Sequence, residues 1–334
     1  MSTEHASGAA SGTLAATALE PLLAGLVDYA GTFPPAGLEV HEACEVFARA
    51  HRGRTAWICG RFAVALKDLA GVDGWLAARV DPDAPSPIGI DFDLRVPWPV
   101  TAVVGTAVGE VAGVLRGLSH RVAVEALECR AATPADVAAA AEALVPLVAR
   151  ATDAIVEVPA DDESAWPELL DAIAEHGLRA KLRTGSIRPA EIPSTATVAR
   201  FLAACARRDL ALKLTAGLHR ALRATRALTY EQDGPCAPMH GFVNAYAAAG
   251  LAFVHGADAD ALERCLEATD ADAFGATDEG LVLRAHGEEA LLTTDQLRDL
   301  RARRVAAFGS CSFDEPIDDL VGLGWLAPDA NAAR

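Results

Sequence analysis

The sequence predicts a single (β/α)₈ barrel, because eight short apolar runs alternate with helical patterns along a chain of 334 residues. Barrels of this class run to about 250 residues, and to more when their loops carry insertions, so the length suits one such domain. Hydrophobic residues make up 51% of the chain, which is enough for a large core. A doubly wound open sheet is the alternative fold that the same alternation allows.

Each apolar run is a predicted strand, and a helix is expected after each. The runs cover residues 25–30, 55–62, 100–105, 121–127, 154–158, 179–184, 210–215 and 305–311. After the fourth run, Thr133 and Pro134 are typical of a helix start, with an N-cap followed by proline in the first turn.

The barrel domain is expected over residues 16–326, between a disordered tail at 1–15 and a second tail at 327–334. Residues 81–97 are rich in Asp and Pro and predict a surface loop.

The longest connection, residues 217–304, lies between the seventh and eighth predicted strands. It is expected to contain helices at 240–254, 258–268 and 294–303 and a hairpin at 274–283. Because it follows the C-terminal end of a strand, we expect this insertion to lie over the C-terminal mouth, where barrel enzymes place their active sites.

The composition restricts the partners. A net charge of −17 argues against nucleic acid and anionic membranes, although a local cationic pocket could still bind a small anionic substrate. No apolar run reaches the length of about 18 residues that a membrane span needs, and the first 12 residues lack the layout of a signal peptide. The seven cysteines are dispersed without a CxxC pair, which argues against a zinc site or a redox dithiol and predicts reduced thiols in the cytoplasm. Neither a bound metal nor a cofactor is predicted. A homo-oligomer is left open.

Lysine is scarce, since only Lys67, Lys181 and Lys213 occur among 29 basic residues. Two of them fall near the ends of predicted strands, inside apolar runs. Unlike Arg, Lys can lose its proton and act as a nucleophile or base, so we expect a functional role for this pair. Chance placement in an Arg-rich chain is the alternative.

Side chains alternate between the two faces of a strand, and the apolar face is expected to meet the outer helices. The opposite faces then direct five charged residues into the barrel, namely Glu125, Glu157, Lys181, Arg183 and Lys213, with Thr215 beside Lys213. Buried charges must pair with one another or with a ligand. A set of structural salt bridges is therefore the alternative to a catalytic site.

Neighbouring parallel strands lie about 4.8 Å apart, so the ammonium groups of Lys181 and Lys213 are expected to be close. A nearby cation lowers the pKa of a lysine from its ordinary value of about 10.4. The neutral amine can then attack a carbonyl carbon and form an iminium, with Glu157 or Glu125 as the proton carrier.

Three motifs of the C-terminal half resemble the class I aldolases of the deoxyribose-phosphate aldolase type. Lys181-Leu-Arg-Thr-Gly185 is similar to the K-x-x-T-G pattern of that family's sixth strand, and the run from Lys213 to Arg220 resembles its seventh-strand pattern K-x-x-G-G-[IV]-R. Gly309-Ser-Cys-Ser312 resembles its eighth-strand loop, and the acid of Ile155-Val-Glu157 has a counterpart in its fifth strand. The resemblance extends over residues 153–313.

The resemblance implies a role for several residues of this chain. Lys181 would be the lysine that forms the iminium, and Lys213 would be the neighbour that lowers its pKa. Gly217, with Ser310 and Ser312, would line a pocket for the polar end of the substrate.

The main alternative is a metal site. His219 follows the seventh strand, while His240 and Asn244 lie one helical turn apart in the insertion. With Glu157 the histidines could form a His/His/carboxylate centre, although no HxH or HExxH spacing supports it.

Four further residues fall near the expected mouth. Asp28 and Arg61 are predicted to end the first and second strands, and Arg61 is a candidate clamp for a substrate carboxylate or phosphate. Cys59 and Cys311 are interpreted as packing residues. Ser312-Phe-Asp-Glu315 is a capping-box pattern that either starts the last helix or offers N–H groups to an anion.

We therefore predict a barrel enzyme that acts on a small carbonyl compound, with a Schiff-base aldolase or lyase using Lys181 as the favoured form. One alternative is a metal-assisted lyase, isomerase or hydrolase that uses His219, His240 and Glu157. The other is a non-catalytic barrel that binds a small anion through Arg61, Arg183 and Lys213.

Overall fold

The computed structural model describes residues 18–79, 97–147, 153–285 and 288–328. Eight parallel strands close into a barrel, so the (β/α)₈ prediction is confirmed and the open sheet is excluded. The predicted tail at 1–15, residues 81–96 of the predicted loop and residues 329–334 lie outside the described residues.

The barrel strands follow one another around the barrel in chain order. They are β1 (Val27–Tyr29), β2 (Cys59–Ala65), β3 (Trp98–Gly105), β4 (Val122–Arg130), β5 (Asp153–Glu157), β6 (Arg179–Arg183), β7 (Leu212–Thr215) and β13 (Phe308–Ser310). The last strand pairs with both β7 and β1, which closes the ring.

The strands alternate with helices. These are α1 (Val40–Ala50), α2 (Leu69–Ala77), α3 (Val111–Arg116), α4 (Pro134–Leu144), α5 (Trp166–Glu175), α6 (Thr195–Arg207), α7 (Phe242–Val254) and, after β13, α10 (Asp314–Gly322). Thr133 caps α4 as predicted, with its hydroxyl oxygen 3.2 Å from the backbone nitrogen of Asp136. Among the described residues, no helix is both long enough and apolar enough to span a bilayer.

Alternation along β1 and β2 separates apolar from polar side chains. Tyr29 and Phe62 stack with each other and with Phe47 of α1, so their face of the strands meets the outer helices. Asp28 and Arg61 occupy the alternate positions and contact each other. The barrel therefore has an aromatic exterior layer and a polar interior on this side.

The long segment after β7 has several parts. Strands β8 (Ala224–Ala227) and β9 (Cys236–Met239) form a hairpin, and α7 then packs beside α6 as the ordinary barrel helix. The segment continues through α8 (Ala259–Glu267) and then through β10 (Phe274–Ala276), β11 (Gly280–Ala285) and β12 (Glu288–Thr293), which form a three-stranded antiparallel sheet wider than the predicted hairpin at 274–283.

The end of this segment contacts the beginning of the barrel. Helix α9 (Thr294–Asp299) continues into a π-helical turn at Leu300–Arg304. The Arg301 guanidinium donates to the backbone carbonyls of Leu22, Ala24 and Gly25, which precede β1. This part of the insertion therefore contacts the residues at the N-terminal end of β1, whereas the β8–β9 hairpin lies at the opposite, C-terminal end of the barrel.

Two strand boundaries differ from the prediction in ways that affect the site. Residues Ala56–Ile58 form a 3₁₀ turn, so β2 begins at Cys59 instead of Thr55. Strand β4 extends to Arg130, and its pairing with β3 skips Glu125, which is a β-bulge. Both shifts change which residues of these strands reach the cavity.

Candidate active site

A cavity of about 990 Å³ opens at the C-terminal ends of the strands. Residues at or just beyond the ends of all eight barrel strands line it, and the β8–β9 hairpin supplies part of one wall with Arg226, Ala227 and Met239. The volume lies in the range of small-molecule sites, and the location is the one that barrel enzymes use. This cavity is the candidate active site.

Two buried lysines lie at the base of the cavity. Lys181 and Lys213 are aligned on neighbouring strands, as predicted, and Glu157 is aligned with Lys181 on the other side. Lys181 Nζ is 2.6 Å from Glu128 Oε2 and 2.9 Å from Glu157 Oε2. One carboxylate, that of Glu128, therefore lies between the two ammonium groups and contacts both.

The second lysine has its own carboxylate partner. Lys213 Nζ hydrogen-bonds Asp28 Oδ2 at 2.5 Å and forms an ion pair with Glu128 Oε1 at 2.7 Å. Asp28 also accepts the backbone N–H of Arg61 at 2.9 Å. Asp28 is thus a buried counter-ion of Lys213 and not a residue of the cavity wall.

The ion pairs set the charge state of both lysines. Burial alone would lower the pKa of Lys181, but the facing Glu128 and Glu157 carboxylates raise it above its ordinary value. Burial likewise would lower the pKa of Lys213, but the Asp28 and Glu128 carboxylates raise it above its ordinary value. The prediction that the pKa of Lys181 lies below its ordinary value is therefore wrong, because three carboxylates compensate the two cations.

Glu128 was not among the predicted residues, although it contacts both lysines. Strict alternation from Glu125 places Glu128 on the opposite face, and the predicted strand ended at residue 127. The bulge at Glu125 adds one residue to β4, so that the side chain three positions later also points inward. The only feature of the sequence that could have indicated Glu128 is that it is a second acidic residue three positions after Glu125.

Glu125 and Arg61 do not reach the cavity. Arg61 Nε is 3.1 Å from Glu125 Oε2, and the Arg61 guanidinium is 3.5 Å from Asp153, the first residue of β5. Asp153 in turn pairs with Arg179, the first residue of β6, at 2.8 Å. These four residues form a separate ion cluster at the N-terminal ends of the strands, which corrects the predicted roles of Glu125 as proton carrier and Arg61 as substrate clamp.

The loops after β6 and β7 touch through two glycines. A Cβ built on Gly185 would lie 2.5 Å from Gly217 Cα, so neither backbone leaves room for a side chain. The Thr184 hydroxyl donates to the carbonyls of Thr215 and Ala216, at 3.1 and 2.7 Å. Thr215 and Gly217 line the cavity as predicted.

His219 lies on the cavity wall beside the last helix. Its Nδ1 is 2.8 Å from Glu315 Oε2, and Cys311 Sγ is 3.8 Å from its Nε2. Burial alone would lower the pKa of His219, but Cys311 and Glu315 raise it to about 9. Cys311, which the sequence analysis assigned to packing, therefore contacts a charged imidazole on the cavity wall.

The capping-box pattern at the start of α10 is only half used. Ser312 Oγ accepts the backbone N–H of Glu315 at 3.3 Å, while the Glu315 carboxylate turns to His219 and Arg220. Ser310 donates its hydroxyl proton to the Ser312 carbonyl at 2.6 Å. Neither serine lines the cavity, because both hold the loop that carries Cys311.

The other two residues of the metal alternative are used for packing. His240 Nε2 hydrogen-bonds the Pro193 carbonyl at 2.9 Å, away from His219. Asn244 donates to the carbonyls of Cys265 and Ala268 and so joins α7 to the end of α8. Across the described parts of the chain, no three His, Cys, Asp or Glu side chains form a cluster that could hold a metal ion.

The mouth of the cavity carries five arginines. Arg130, Arg188 and Arg220 pair with acidic side chains. Arg183 donates from Nε to the Gly185 carbonyl at 3.1 Å, and neither Arg183 nor Arg226 forms an ion pair with any residue that the structure describes. These two guanidinium groups and the His219 imidazolium give the mouth a local positive charge in an acidic protein.

A test of the His219 environment follows from its pKa. Because the folded-state pKa is raised from 6.5 to about 9, the interaction stabilises the protein fully below about pH 6.5, and the stabilisation is lost as the pH rises through 9. His219→Gln is expected to destabilise the protein by at most about 3 kcal/mol at pH 6 and much less above pH 9.5. Urea unfolding at both pH values measures the difference, and His120→Gln, at an exposed histidine, is the control. If His219→Gln loses the same stability at both pH values, the raised pKa of His219 is contradicted.

No known protein family and no curated protein matches the sequence. The fold and the cavity therefore define the class as a (β/α)₈ barrel with a polar, lysine-containing site at the C-terminal ends of its strands.

Proposed function

We propose that this protein is a barrel enzyme that acts on a small, anionic carbonyl compound, with Lys181 as the amine that forms an iminium. The observation that carries the proposal is the alignment of Glu157, Lys181 and Lys213 on three neighbouring strands at the base of the cavity. An amine with a carboxylate beside it provides both a nucleophile and a proton carrier. The resemblance to class I aldolases supports Lys181 over Lys213 as the reacting residue.

The first step of this reaction is loss of a proton from Lys181. Glu157 Oε2 lies 2.9 Å from Lys181 Nζ and is the proton acceptor. The amine nitrogen then bonds to the carbonyl carbon as the carbonyl π bond breaks, and the oxygen takes one proton from that nitrogen to give a carbinolamine. The protonated Glu157 returns its proton to the hydroxyl group, which leaves as water as the C=N bond of the iminium forms. The iminium is an electron sink for making or breaking an adjacent C–C bond. Because the paired carboxylates raise the pKa of Lys181, iminium formation is expected to increase towards alkaline pH.

The charge at the mouth supports an anionic substrate. Arg183 and Arg226 line the mouth without an ion pair to any described residue, and a planar guanidinium can bind a carboxylate or phosphate through two parallel hydrogen bonds. The reacting carbonyl would then point inward to Lys181 while the anionic end stays at the mouth.

Borohydride trapping tests the proposal directly. The protein is incubated with a panel of aldehydes and 2-keto acids and reduced, and the adduct is mapped by mass spectrometry. We expect one adduct, on Lys181, that is absent in Lys181→Arg, because Arg keeps the charge but has no dissociable amine. The exposed Lys67 is the internal control, and Lys67→Arg should leave trapping unchanged. An adduct that persists in Lys181→Arg, or that maps to Lys67, contradicts the mechanism.

A second candidate, a non-catalytic binding barrel, is favoured by one observation. Each buried lysine already has two carboxylate partners, so the site is electrostatically satisfied without a reaction. This candidate predicts saturable binding of a small anion, weakened at least about tenfold by Arg183→Gln, with no trapped adduct for any carbonyl compound. Isothermal titration beside the trapping experiment separates the two functions.

A further inference from the structure

A thiol, an imidazole and a carboxylate lie in sequence along one side of the cavity. Cys311 follows β13, and His219 follows β7 on the neighbouring strand. Cys311 Sγ is 3.8 Å from His219 Nε2, and His219 Nδ1 is 2.8 Å from Glu315 Oε2. All three side chains line the cavity. A nucleophile beside a base that is oriented by an acid is the arrangement of cysteine-dependent catalysis.

The position of the sulfur shows how it meets the imidazole. Sγ is almost equidistant from the two ring nitrogens, at 3.8 Å from Nε2 and 3.9 Å from Nδ1, so it lies beside the ring instead of on the line of one N–H bond. A cationic ring at this distance favours the thiolate form of a cysteine, and Glu315 holds the ring in place through Nδ1. Tyr230 adds a hydroxyl group 3.7 Å from the sulfur.

Titratable groups around this thiol come from several elements. His219 and Tyr230 contact the sulfur, and Tyr29 of β1 interacts with it electrostatically. Arg220, Asp314 and Glu315 interact in turn with those three groups. His219 is the cation in direct contact, and Arg220 compensates Glu315.

Among the residues that the structure describes, no other cysteine forms a hydrogen bond with an imidazole. Burial raises the pKa of Cys44 and Cys265 to about 12, as expected for thiols in apolar surroundings. Cys129 also lines the cavity, and burial raises its pKa to about 11 although the nearby Lys181 lowers it. Cys236 is exposed, and its sulfur lies 3.9 Å from the Gly234 carbonyl oxygen. Cys236 is therefore the internal reference against which the reactivity of Cys311 is compared.

We propose that Cys311 is a nucleophilic residue of this cavity and that its thiolate adds to the aldehyde carbon of a small compound bound there. A C–S bond forms as the carbonyl π bond breaks, and the carbonyl oxygen takes the proton from His219 Nε2. The products are a thiohemiacetal and a neutral imidazole, and the step needs no oxidant or reductant. The aldehyde as substrate class rests on the proposed carbonyl function, but the thiol chemistry is independent of Lys181.

Alkylation by iodoacetamide between about pH 5.5 and 8.5 tests the thiolate, with each cysteine followed by peptide mass spectrometry. The rate for the exposed Cys236 is expected to fall steeply towards low pH, as for an ordinary thiol, whereas the rate for Cys311 should depend much less on pH. In His219→Gln and Glu315→Gln the Cys311 rate at low pH should drop at least about tenfold, with circular dichroism to confirm folding. If Cys311 follows the pH dependence of Cys236, stays unmodified throughout, or reacts equally fast without His219, the proposal is wrong.

Protection by glyoxylate tests the aldehyde class. In Lys181→Arg, which cannot form an iminium, glyoxylate should slow the alkylation of Cys311 at least about fivefold and leave Cys236 unaffected. Glycolate has the same carboxylate but no aldehyde and should not protect. Equal protection by both acids, or none by glyoxylate, overturns the addition step, and this outcome is independent of whether Lys181 is trapped in the wild-type protein.

Discussion

Replacement of Glu128 by Gln is expected to lower the free energy of unfolding by about 3–5 kcal/mol. Glu128 is buried, and its two carboxylate oxygens contact Lys181 and Lys213 separately. The amide has the same shape but no charge, so two buried ammonium groups would keep only Asp28 and Glu157 as counter-ions. Chemical denaturation near neutral pH measures the loss.

The control is a carboxylate in an ion pair that solvent reaches. Glu163 bonds Arg200 at 2.6 Å, with both side chains partly exposed, and Glu163→Gln is expected to cost less than about 1 kcal/mol, because solvent screens the pair. A similar cost for both variants would show that the interior pair is solvated and that the base of the cavity is not an ion-pair network.

The loss of stability in Glu128→Gln is expected to become smaller as the pH falls. Burial alone would raise the pKa of Glu128, but Lys181 and Lys213 lower it from 4.5 to about 2. The carboxylate therefore stabilises the folded state fully above about pH 4.5, and this contribution is lost as the pH falls towards 2. The deficit of the variant should shrink over that window, and a deficit that stays constant from pH 7 to pH 2.5 would contradict the lowered pKa.

Gly185→Ala is the second substitution with a large expected effect. Its Cβ would lie 2.5 Å from Gly217 Cα and 2.7 Å from Gly217 N, and both are backbone atoms that cannot rotate away. The ends of β6 and β7 must then separate, which is expected to cost about 1–3 kcal/mol and to break the bonds from the Thr184 hydroxyl to the β7 loop.

Gly74→Ala is the control for the same chemical change. Gly74 lies in α2 with open space at its Cβ position, so alanine should stabilise the protein by about 0.5–1 kcal/mol. Unfolding midpoints of the two variants are expected to move in opposite directions. If both midpoints moved in the same direction by the same amount, the loops after β6 and β7 would be able to separate without a loss of stability.

Much of the fold could be predicted because each strand carries its own local signal. The apolar runs and their turns predicted all eight barrel strands, and alternation predicted the alignment of Lys181 with Lys213 and Glu157. Alternation fails wherever the backbone adds a residue, and the bulge at Glu125 therefore hid Glu128. A bulge has no reliable signature in a single strand, because its partner strand determines it.

The other errors concern position along a strand and contacts between distant residues. Arg61 was placed at the end of β2 because the 3₁₀ turn before the strand looks like a strand in its apolar pattern. His240 and Asn244 are one turn apart on a helix, but nothing local shows that both are satisfied by neighbouring carbonyls. Cys311 and His219 are 92 residues apart, and only the pairing of β7 with β13 brings them together.

The contact of Arg301 with the residues before β1 has a consequence for folding during synthesis. The first seven barrel strands leave the ribosome before β13, and until then β1 and β7 each expose an unpaired edge. Arg301 precedes β13 and donates to three carbonyls just before β1, so we expect this contact to form as the last strand pairs with the first. Loss of the contact is expected to prolong the open intermediate and to increase the aggregation of new chains.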